Sequence, residues 1–326
     1  MELVKLLNCL ADGAYHSGVE LGEAQGVTRT AVWKALGKLE EMGVSLESTK
    51  GKGYRIKGGL DLLDRDFILA HITELSLPVR SLFLLQSIDS TNSYLMTESH
   101  NADPDDYIVC MAERQTAGRG RRGRIWHSPY AKNLYISLSF NLPGGVESLD
   151  GLSLALGVAV ANCLSARGVQ DIGLKWPNDI WVNDKKLAGI LVELKGEAET
   201  GWKVVAGLGL NVLMSGDEED EIDQPWTSIS LTMTEGSLKR SQWAALLLES
   251  LIDTIGRYKK GGLKCLLGEW QKYDILCNKT VGIVGGDESG VCKGVDDRGR
   301  LLIDYDGVIK VINAGEVSVR PDESSN

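Results

Sequence analysis

Apolar residues near the start of the chain recur every three or four positions, which predicts a run of short helices. The first covers residues 3–10. Ser17 is placed to cap a second helix, and Thr28 is placed to cap a third that runs from Arg29 to Met42. One apolar stripe follows the third helix, so we expect these helices to pack around a small common core.

A pair of strands is predicted after the third helix. The segment VSLESTKGKGYRI, residues 44–56, alternates on both sides of KGKG, as the strands of a hairpin do. Two helices joined by a tight turn form a helix-turn-helix, and a following hairpin makes the winged variant. We therefore expect a winged helix-turn-helix domain over residues 1–60.

Beyond residue 60 the pattern changes twice. From about residue 80 to 215 apolar strands alternate with helical stretches, which predicts a mixed α/β domain over residues 61–271. The acidic run 215–226 is typical of a solvated loop, with Trp226 as the exception because an indole is costly to leave in water. Short strands separated by Gly and Asp turns then predict a small β-barrel over residues 272–326.

Composition narrows the class of protein. The chain has 326 residues, of which 43% are hydrophobic and 25% charged, as is ordinary for soluble globular proteins. Its six cysteines form no CxxC pair, which favours reduced thiols over a zinc site or disulfides. The first residues are too acidic for a signal peptide, and no run reaches the ~20 apolar residues of a membrane span. We expect a cytoplasmic protein without a membrane segment.

Basic charge is concentrated on the third helix and the wing. Residues 28–57 carry seven basic and three acidic side chains, a net charge of +4, in a chain whose formal net charge is −10. DNA phosphates attract such a basic face, so we predict DNA binding. A three-helix domain with a solvated basic face remains an alternative. Trp33 lies off the apolar stripe, where it either contacts DNA or packs under the wing.

The residues predicted to face DNA lie at the start of the third helix, along its exposed side and in the wing. They are Thr28, Arg29, Thr30, Lys34, Lys38, Lys50 and Lys52. Side chains at the start of a recognition helix reach base edges in the major groove, and the lysines are better placed for phosphates.

The segment GRGRRGRIW, residues 118–126, carries the strongest local chemistry. Arginine offers fixed pairs of donors suited to phosphate or carboxylate, and glycine lets the backbone approach a ligand. The pattern GxxxxGK[ST] of a P-loop is absent from the sequence. The segment therefore favours a loop that folds over an anionic ligand, while an RNA-binding cluster or a mobile basic loop remain alternatives.

Further motifs occur in a fixed order around this loop. They are STN at residues 90–92, KWPND at 175–179, KLAGILVE at 186–193 and GLGLN at 207–211. With GRGRRGR and Trp126, this order resembles the biotin–protein ligases over nearly the whole chain. The helix-turn-helix makes the chain similar to the bifunctional members that also repress transcription.

The resemblance implies a fold for each domain and a role for each motif. The central domain is expected to be similar to class II aminoacyl-tRNA synthetases, and the C-terminal domain to be an SH3-like β-barrel. The implied biotin-binding residues are Ser90, Thr91, Asn92, Gln115, Arg119, Gly120, Arg121, Trp126, Lys186, Gly207 and Gly209. The implied nucleotide-binding residues are Arg119, Arg121, Asn178, Lys186, Asn211 and Trp226, and the implied catalytic residues are Arg121, Lys186 and Asp179.

The implied activity has two steps. Biotin and ATP, with Mg²⁺ on the phosphates, give biotinyl-5′-AMP and pyrophosphate; a lysine of the biotin carboxyl carrier protein then takes the biotin. The implied partners are this carrier protein, operator DNA and, once the adenylate is bound, a second copy of the chain. A lipoate–protein ligase, a biotin-sensing repressor without ligase activity, and a ligase whose helix-turn-helix no longer binds DNA remain alternatives.

Overall fold

The computed structural model describes residues 3–97, 105–197, 201–216, 222–233, 238–283, 288–313 and 319–321. Residues 217–221 of the acidic loop lie outside the described residues, as do residues 284–287, 314–318 and 322–326 of the expected β-barrel. Within the described ranges the chain is mixed α/β, as predicted. No helix there is both long and apolar enough to span a bilayer.

The N-terminal part forms the predicted helix-turn-helix with its wing. Its elements are α1 (Leu3–Leu10), α2 (Gly18–Glu23), α3 (Arg29–Glu41), β1 (Glu47–Thr49) and β2 (Gly53–Arg55). The two strands pair antiparallel. Their positions confirm the hairpin expected around KGKG.

Side-chain caps explain where the helices of this domain begin. The Ser17 hydroxyl accepts a hydrogen bond from the Glu20 backbone nitrogen, and the Glu20 carboxylate accepts one from the Ser17 nitrogen, which together form a capping box. Thr28 caps α3 by accepting a hydrogen bond from the Ala31 nitrogen. Helix α3 ends at Glu41, one residue before the predicted end, because Met42 is its C-cap.

A seven-stranded mixed sheet forms the centre of the molecule. In chain order its strands are β3 (Val79–Leu85), β4 (Tyr107–Ala112), β5 (Leu134–Leu142), β6 (Ile172–Lys175), β7 (Asp179–Val182), β8 (Lys185–Glu197) and β9 (Gly201–Leu210). In space the order is β3-β4-β5-β9-β8-β7-β6. Strand β3 runs parallel to β4 and every other neighbouring pair is antiparallel.

Helices cover both faces of this sheet. The remaining helices are α4 (Arg65–Glu74), α5 (Thr91–Thr97), α6 (Leu152–Ser165), α7 (Ile229–Thr232), α8 (Arg240–Gly261) and α9 (Leu267–Tyr273). Alternate residues of β4 point to opposite faces. Val109 and Met111 join the large core that includes α6 and α8, whereas Ile108 and Cys110 join a smaller cluster with Leu95 of α5.

The C-terminal part is a five-stranded antiparallel sheet in the order β13-β12-β11-β10-β14. Its strands are β10 (Thr280–Ile283), β11 (Ser289–Val295), β12 (Leu301–Tyr305), β13 (Val308–Ile312) and β14 (Val319–Pro321). The short strands are confirmed, and closure into an SH3-like barrel stays a prediction. The buried Trp176 indole joins this part to the central sheet by donating to the Gly299 carbonyl at 2.9 Å.

A buried ion pair joins three separate parts of the chain. The side chains of Arg240, at the start of α8, and Glu113, just after β4, are 0% and 1% exposed. Both terminal nitrogens of Arg240 lie 2.8 Å from Glu113 Oε2. Glu113 Oε1 accepts a hydrogen bond from the Leu63 nitrogen at 2.7 Å, and Arg240 also donates to the Asp61 carbonyl at 2.6 Å. The pair therefore anchors the segment that leads from the helix-turn-helix into the central domain.

Glu113→Gln is expected to destabilise the protein strongly. It leaves the Arg240 guanidinium buried with no carboxylate, a change that costs about 3–5 kcal/mol in comparable buried pairs. The free energy of unfolding in urea, followed by tryptophan fluorescence, measures the effect. The control is Glu249→Gln, because the half-exposed Glu249 contacts His71 at 3.2 Å on the surface and should cost less than about 1 kcal/mol. Equal losses in the two variants would contradict a structural role for the buried pair.

Candidate active site and DNA-binding surface

A ring of polar side chains lies where the chain passes from β3 into α5. Ser90, Thr91 and Asn92 are all buried there. The Thr91 nitrogen and hydroxyl donate to Gln115 Oε1 at 2.9 and 3.1 Å. The Ser137 hydroxyl of β5 lies 2.7 Å from Thr91 Oγ1 and 2.6 Å from Asn92 Oδ1. Because buried polar groups need partners, this network can hold the polar edge of a small ligand.

Glycines in β9 let side chains lie directly on the sheet. A Cβ atom built on Gly207 would lie 2.3 Å from Asn92 Oδ1, and one built on Gly209 would lie 2.4 Å from Cε2 of Trp126. Any larger residue at either position would displace Asn92 or Trp126. In this structure the space above the two glycines is thus occupied by side chains of the chain itself. That Gly207 and Gly209 leave room for a ligand ring stays a prediction.

The arginine segment is a small hairpin. The Gly120 nitrogen donates to the Arg124 carbonyl at 2.7 Å, and the Trp126 nitrogen donates to the Gly118 carbonyl at 2.9 Å. The chain reverses at Arg122 and Gly123, both with positive φ. This geometry brings the first half of the segment back over the central sheet instead of leaving it extended in solvent.

Two arginines of this hairpin contact groups of the central domain. Arg119 donates to Ser93 Oγ at 2.9 Å and to Glu193 Oε1 at 3.1 Å. Arg121 Nη1 lies 3.5 Å from Asn178 Oδ1. Burial lowers the pKa of Arg121, and the charge of neighbouring Arg122 acts in the same direction. A partly buried cation beside a second cation creates a site that favours an anion.

Lys186 and Asp179 face each other across the β7–β8 hairpin. Lys186 Nζ lies 2.9 Å from Asp179 Oδ1, a close ion contact that lacks aligned hydrogen-bond geometry. It also lies 5.4 Å from the centre of the Trp126 ring. A two-residue turn with positive φ at Asn183 and Asp184 joins the two strands and sets this pairing.

Three of the six expected nucleotide-binding residues, Lys186, Asn211 and Trp226, lie at one edge of the site. The Lys186 nitrogen donates to the Pro225 carbonyl at 3.0 Å, and the segment with half-buried Trp226 adds to β8 as a parallel bridge. Asn211 Nδ2 donates to the Thr227 carbonyl at 3.0 Å. Asn211 is buried, so in this structure its amide positions the Trp226 segment.

Sequence reasoning missed several residues of the site. Ser137 closes the polar ring, Glu193 pairs with Arg119, and Asn133 donates to Asn211 Oδ1 at 3.3 Å. The sequence could have indicated Glu193 as a site residue, because it is a carboxylate inside the apolar run of β8. Ser137 gave a weaker one, as a hydroxyl within the buried strand β5.

The predicted DNA-binding residues lie together on the surface of the helix-turn-helix. Six of them are exposed on α3 and the wing: Arg29, Thr30, Lys34, Lys38, Lys50 and Lys52. Thr28 is also exposed and caps α3. Arg55 is not available in the same way, because its Nε donates to Glu47 Oε2 at 2.7 Å within the wing.

The described residues do not by themselves form a complete set of protein ligands for a magnesium ion. Within the described ranges, no group of three His, Cys, Asp or Glu residues is placed to hold a metal. The carboxylates nearest the site, Asp179 and Glu193, are paired with Lys186 and Arg119. We therefore derive no step through a magnesium ion held by the protein.

Three family models match consecutive parts of the chain. The biotin/lipoate A/B protein ligase family matches residues 84–211, an HTH domain matches residues 3–55, and the biotin protein ligase C-terminal domain matches residues 277–320. The central match includes the STN, arginine, KWPND and GLGLN motifs.

Similar proteins span the whole chain. The bifunctional ligase/repressor BirA of Salmonella typhimurium is 39% identical over 98% of this chain and 97% of its own length. That of Bacillus subtilis is 30% identical over 98% of each. Among solved structures, the biotin protein ligase of Aquifex aeolicus in complex with biotin and ATP is 29% identical, with a TM-score of 0.63 over 74% of this chain and 100% of the other. By this similarity along its full length, the chain belongs to the family of bifunctional biotin–protein ligases and transcriptional repressors.

Proposed function

We propose that this protein is an ATP-dependent biotin–protein ligase that also represses transcription when biotinyl-5′-AMP is bound. The observation that carries the proposal is one cluster above β8 and β9. There the buried polar ring of Thr91 and Asn92 lies beside Trp126 and the cations Arg121 and Lys186. Uncharged polar side chains beside two cations match a ligand that has a polar ring system at one end and a carboxylate at the other. Biotin has both.

In the first step a biotin carboxylate oxygen attacks the α-phosphorus of ATP and pyrophosphate leaves. The polar ring would hold the ureido group, and Trp126 would cover the apolar ring system. Arg119, Arg121 and Lys186 would stabilise the charge on the phosphate oxygens, since positioning and charge stabilisation dominate this chemistry. Arg119 would leave Glu193, and Lys186 would leave Asp179, and both cations would contact the ligand instead. Trp226 would stack on the adenine.

Magnesium enters the proposal only on the substrate. ATP binds Mg²⁺ through its own phosphates, and the ion usually keeps several waters with one or two protein carboxylates. The ion would neutralise phosphate charge, and the chain's own cations would orient the reacting groups.

In the second step the ε-amine of a lysine on the biotin carboxyl carrier protein attacks the carbonyl carbon of the mixed anhydride. AMP leaves and the new amide nitrogen loses a proton. The amine must be neutral to attack, although free lysine has a pKa of about 10.4. Asp179 is half-buried at the edge of the site. It would orient the amine or accept its proton after Lys186 turns to the ligand.

The repressor activity would use the exposed basic face of α3 and the wing. In this proposal the domains are residues 1–60, 61–271 and 272–326. The central domain is similar to class II aminoacyl-tRNA synthetases and the last is an SH3-like barrel.

For repression, two copies of the chain would bind the two halves of a palindromic operator. The adenylate would favour this homodimer through its preference for the dimer-competent state. A cytoplasmic location fits both activities.

Lipoate is the competing substrate, because the matched family includes lipoate ligases. A relative that covers 73% of this chain is named for biotin, and one that covers 98% of it is named as a bifunctional ligase/repressor. A repressor without ligase activity is disfavoured by the complete set of Arg121, Lys186 and Asp179.

Exchange of labelled pyrophosphate into ATP should occur with biotin and stay at background with lipoate or no acid. Lys186→Ala should lower the exchange rate by about 10²-fold, the typical loss for one donor to a developing anion. Lys185→Ala is the matched control, because Lys185 is the exposed neighbour. If exchange occurs with lipoate and not with biotin, lipoate is the substrate. If folded protein shows no exchange with either acid, the proposed ligase activity is refuted.

Arg121→Gly should still form the adenylate but lose it to solvent. Without this side chain the hairpin closes the anhydride less tightly, and water reaches it. We expect release to quicken by about tenfold or more, the value of one charge-assisted hydrogen bond. Filter binding of labelled adenylate measures the rate, with Arg167→Gly, on the exposed turn after α6, as control. A release rate equal to that of the unchanged protein would refute the closing role.

Asp179→Asn should spare adenylate formation and slow transfer to the carrier lysine. The amide keeps the shape but cannot accept the amine proton, and loss of a general base typically costs 10²–10⁴-fold. Single-turnover transfer from preformed adenylate separates the two steps. Asp184→Asn, in the exposed turn of the same hairpin, is the control. Normal exchange together with normal transfer would remove Asp179 from the mechanism.

A further inference from the structure

Trp33 is a large apolar side chain that no part of its own domain covers. It is 66% exposed on α3, so it does not pack under the wing. The buried side of α3 is formed by other residues, Val32, Ala35, Leu36 and Leu39. An indole left in water on a helix that is predicted to read DNA calls for a partner outside the monomer.

The position of Trp33 places it among the predicted DNA-facing residues. Arg29 and Thr30 are exposed four and three residues before Trp33, which places them beside it on α3, and Lys34 is also exposed. Arg29 and Thr30 are the first residues of the helix, and Lys34 follows Trp33 directly. The indole therefore lies between side chains suited to base edges and side chains suited to phosphates.

Gly37 is an independent sign that something approaches this side closely. It lies one turn after Trp33 in the interior of α3. A Cβ atom built on it would meet no other atom within 4 Å, so packing within the chain does not require glycine. Glycine inside a helix costs about 0.5–1 kcal/mol relative to alanine. A bare helix surface beside Trp33 is explained if a duplex lies against it.

A depression of about 300 Å³ opens next to Trp33. It is lined by Gly18, Arg29, Thr30, Val32, Trp33 and Tyr54, which belong to α2, α3 and the wing. Exposed lysines of α3 and the wing border the same surface. Their positive charge is complementary to a phosphate backbone and disfavours a basic partner.

We propose that Trp33 reads thymine in the major groove by packing its indole on the 5-methyl group. Among base edges in that groove, the thymine methyl is the apolar feature, and cytosine and uracil lack it. The contact would bury the indole and add sequence preference to the phosphate contacts of the lysines. This assignment rests on the proposed repressor function.

The test begins with DNA chosen by the protein itself. Duplexes of random sequence are selected with the full-length protein in the presence of biotin, ATP and Mg²⁺. Each thymine of the enriched duplex is then replaced singly by deoxyuridine, and binding is measured with unchanged protein and with Trp33→Ala. Because Trp33 is exposed, the variant should keep its thermal stability and its pyrophosphate exchange.

We expect Trp33→Ala to weaken binding to the selected duplex by about 10–100-fold, as for loss of a specific base contact. At one thymine per half-site, deoxyuridine should weaken the unchanged protein by about fourfold, the value of one buried methyl-sized group, and should not affect Trp33→Ala. The control is Lys34→Ala. It should weaken all duplexes alike, reduce the salt dependence of binding and keep the deoxyuridine penalty.

Each contrary result has its own meaning. If Trp33→Ala keeps the full deoxyuridine penalty, the thymine contact is refuted while the repressor stands. If Trp33→Ala changes sedimentation of the biotin- and ATP-loaded protein without DNA and leaves DNA binding intact, Trp33 lies in a protein interface and the proposal is wrong. If no duplex is enriched although pyrophosphate exchange proceeds, the repressor function fails and the thymine contact fails with it.

Discussion

The buried pair of Glu113 and Arg240 constrains more of this structure than any hydrogen bond in its candidate site. A buried charge that loses its partner is costly, so everything bonded to the pair is kept in place. Arg240 Nε also donates to the Asn133 carbonyl at 3.1 Å. The two residues after Glu113 extend the constraint: Arg114 donates to the Glu41 carbonyl at the end of α3, and Gln115 accepts from Thr91. Glu113, Arg114 and Gln115 thus contact, in turn, the segment before α4, the end of α3 and the polar ring.

The candidate site is built from charges that already have partners. Arg119 contacts Glu193, and Lys186 contacts Asp179. This arrangement avoids unpaired charge in a partly buried site. In the proposed reaction an anionic ligand would replace one carboxylate at each cation, and Asp179 would then be free to contact the attacking amine.

Much of the fold followed from periodicity. The alternation of strands and helices in the central domain and the hairpin of the wing were predicted from local apolar patterns, because burial on a sheet or helix imposes period 2 or 3.6 on the sequence. The polar ring was predicted only in part. Ser137 lies on β5, far along the chain from Thr91, and no local pattern marks which buried hydroxyl meets which helix cap. Likewise, no local pattern indicates that the buried Asn211 amide donates to the Thr227 carbonyl beside Trp226; nucleotide binding by Asn211 stays a prediction.

The order of the elements, the motifs of the ligase family and the basic face of the helix-turn-helix were all evident before the fold was known. These are properties of neighbouring residues, so they can be read along the chain. The folded structure was needed to learn which charges pair, which side chains fill the space above Gly207 and Gly209, and that Trp33 is largely exposed. Those outcomes depend on contacts between distant segments, whose distances are set by how the whole sheet and its helices pack.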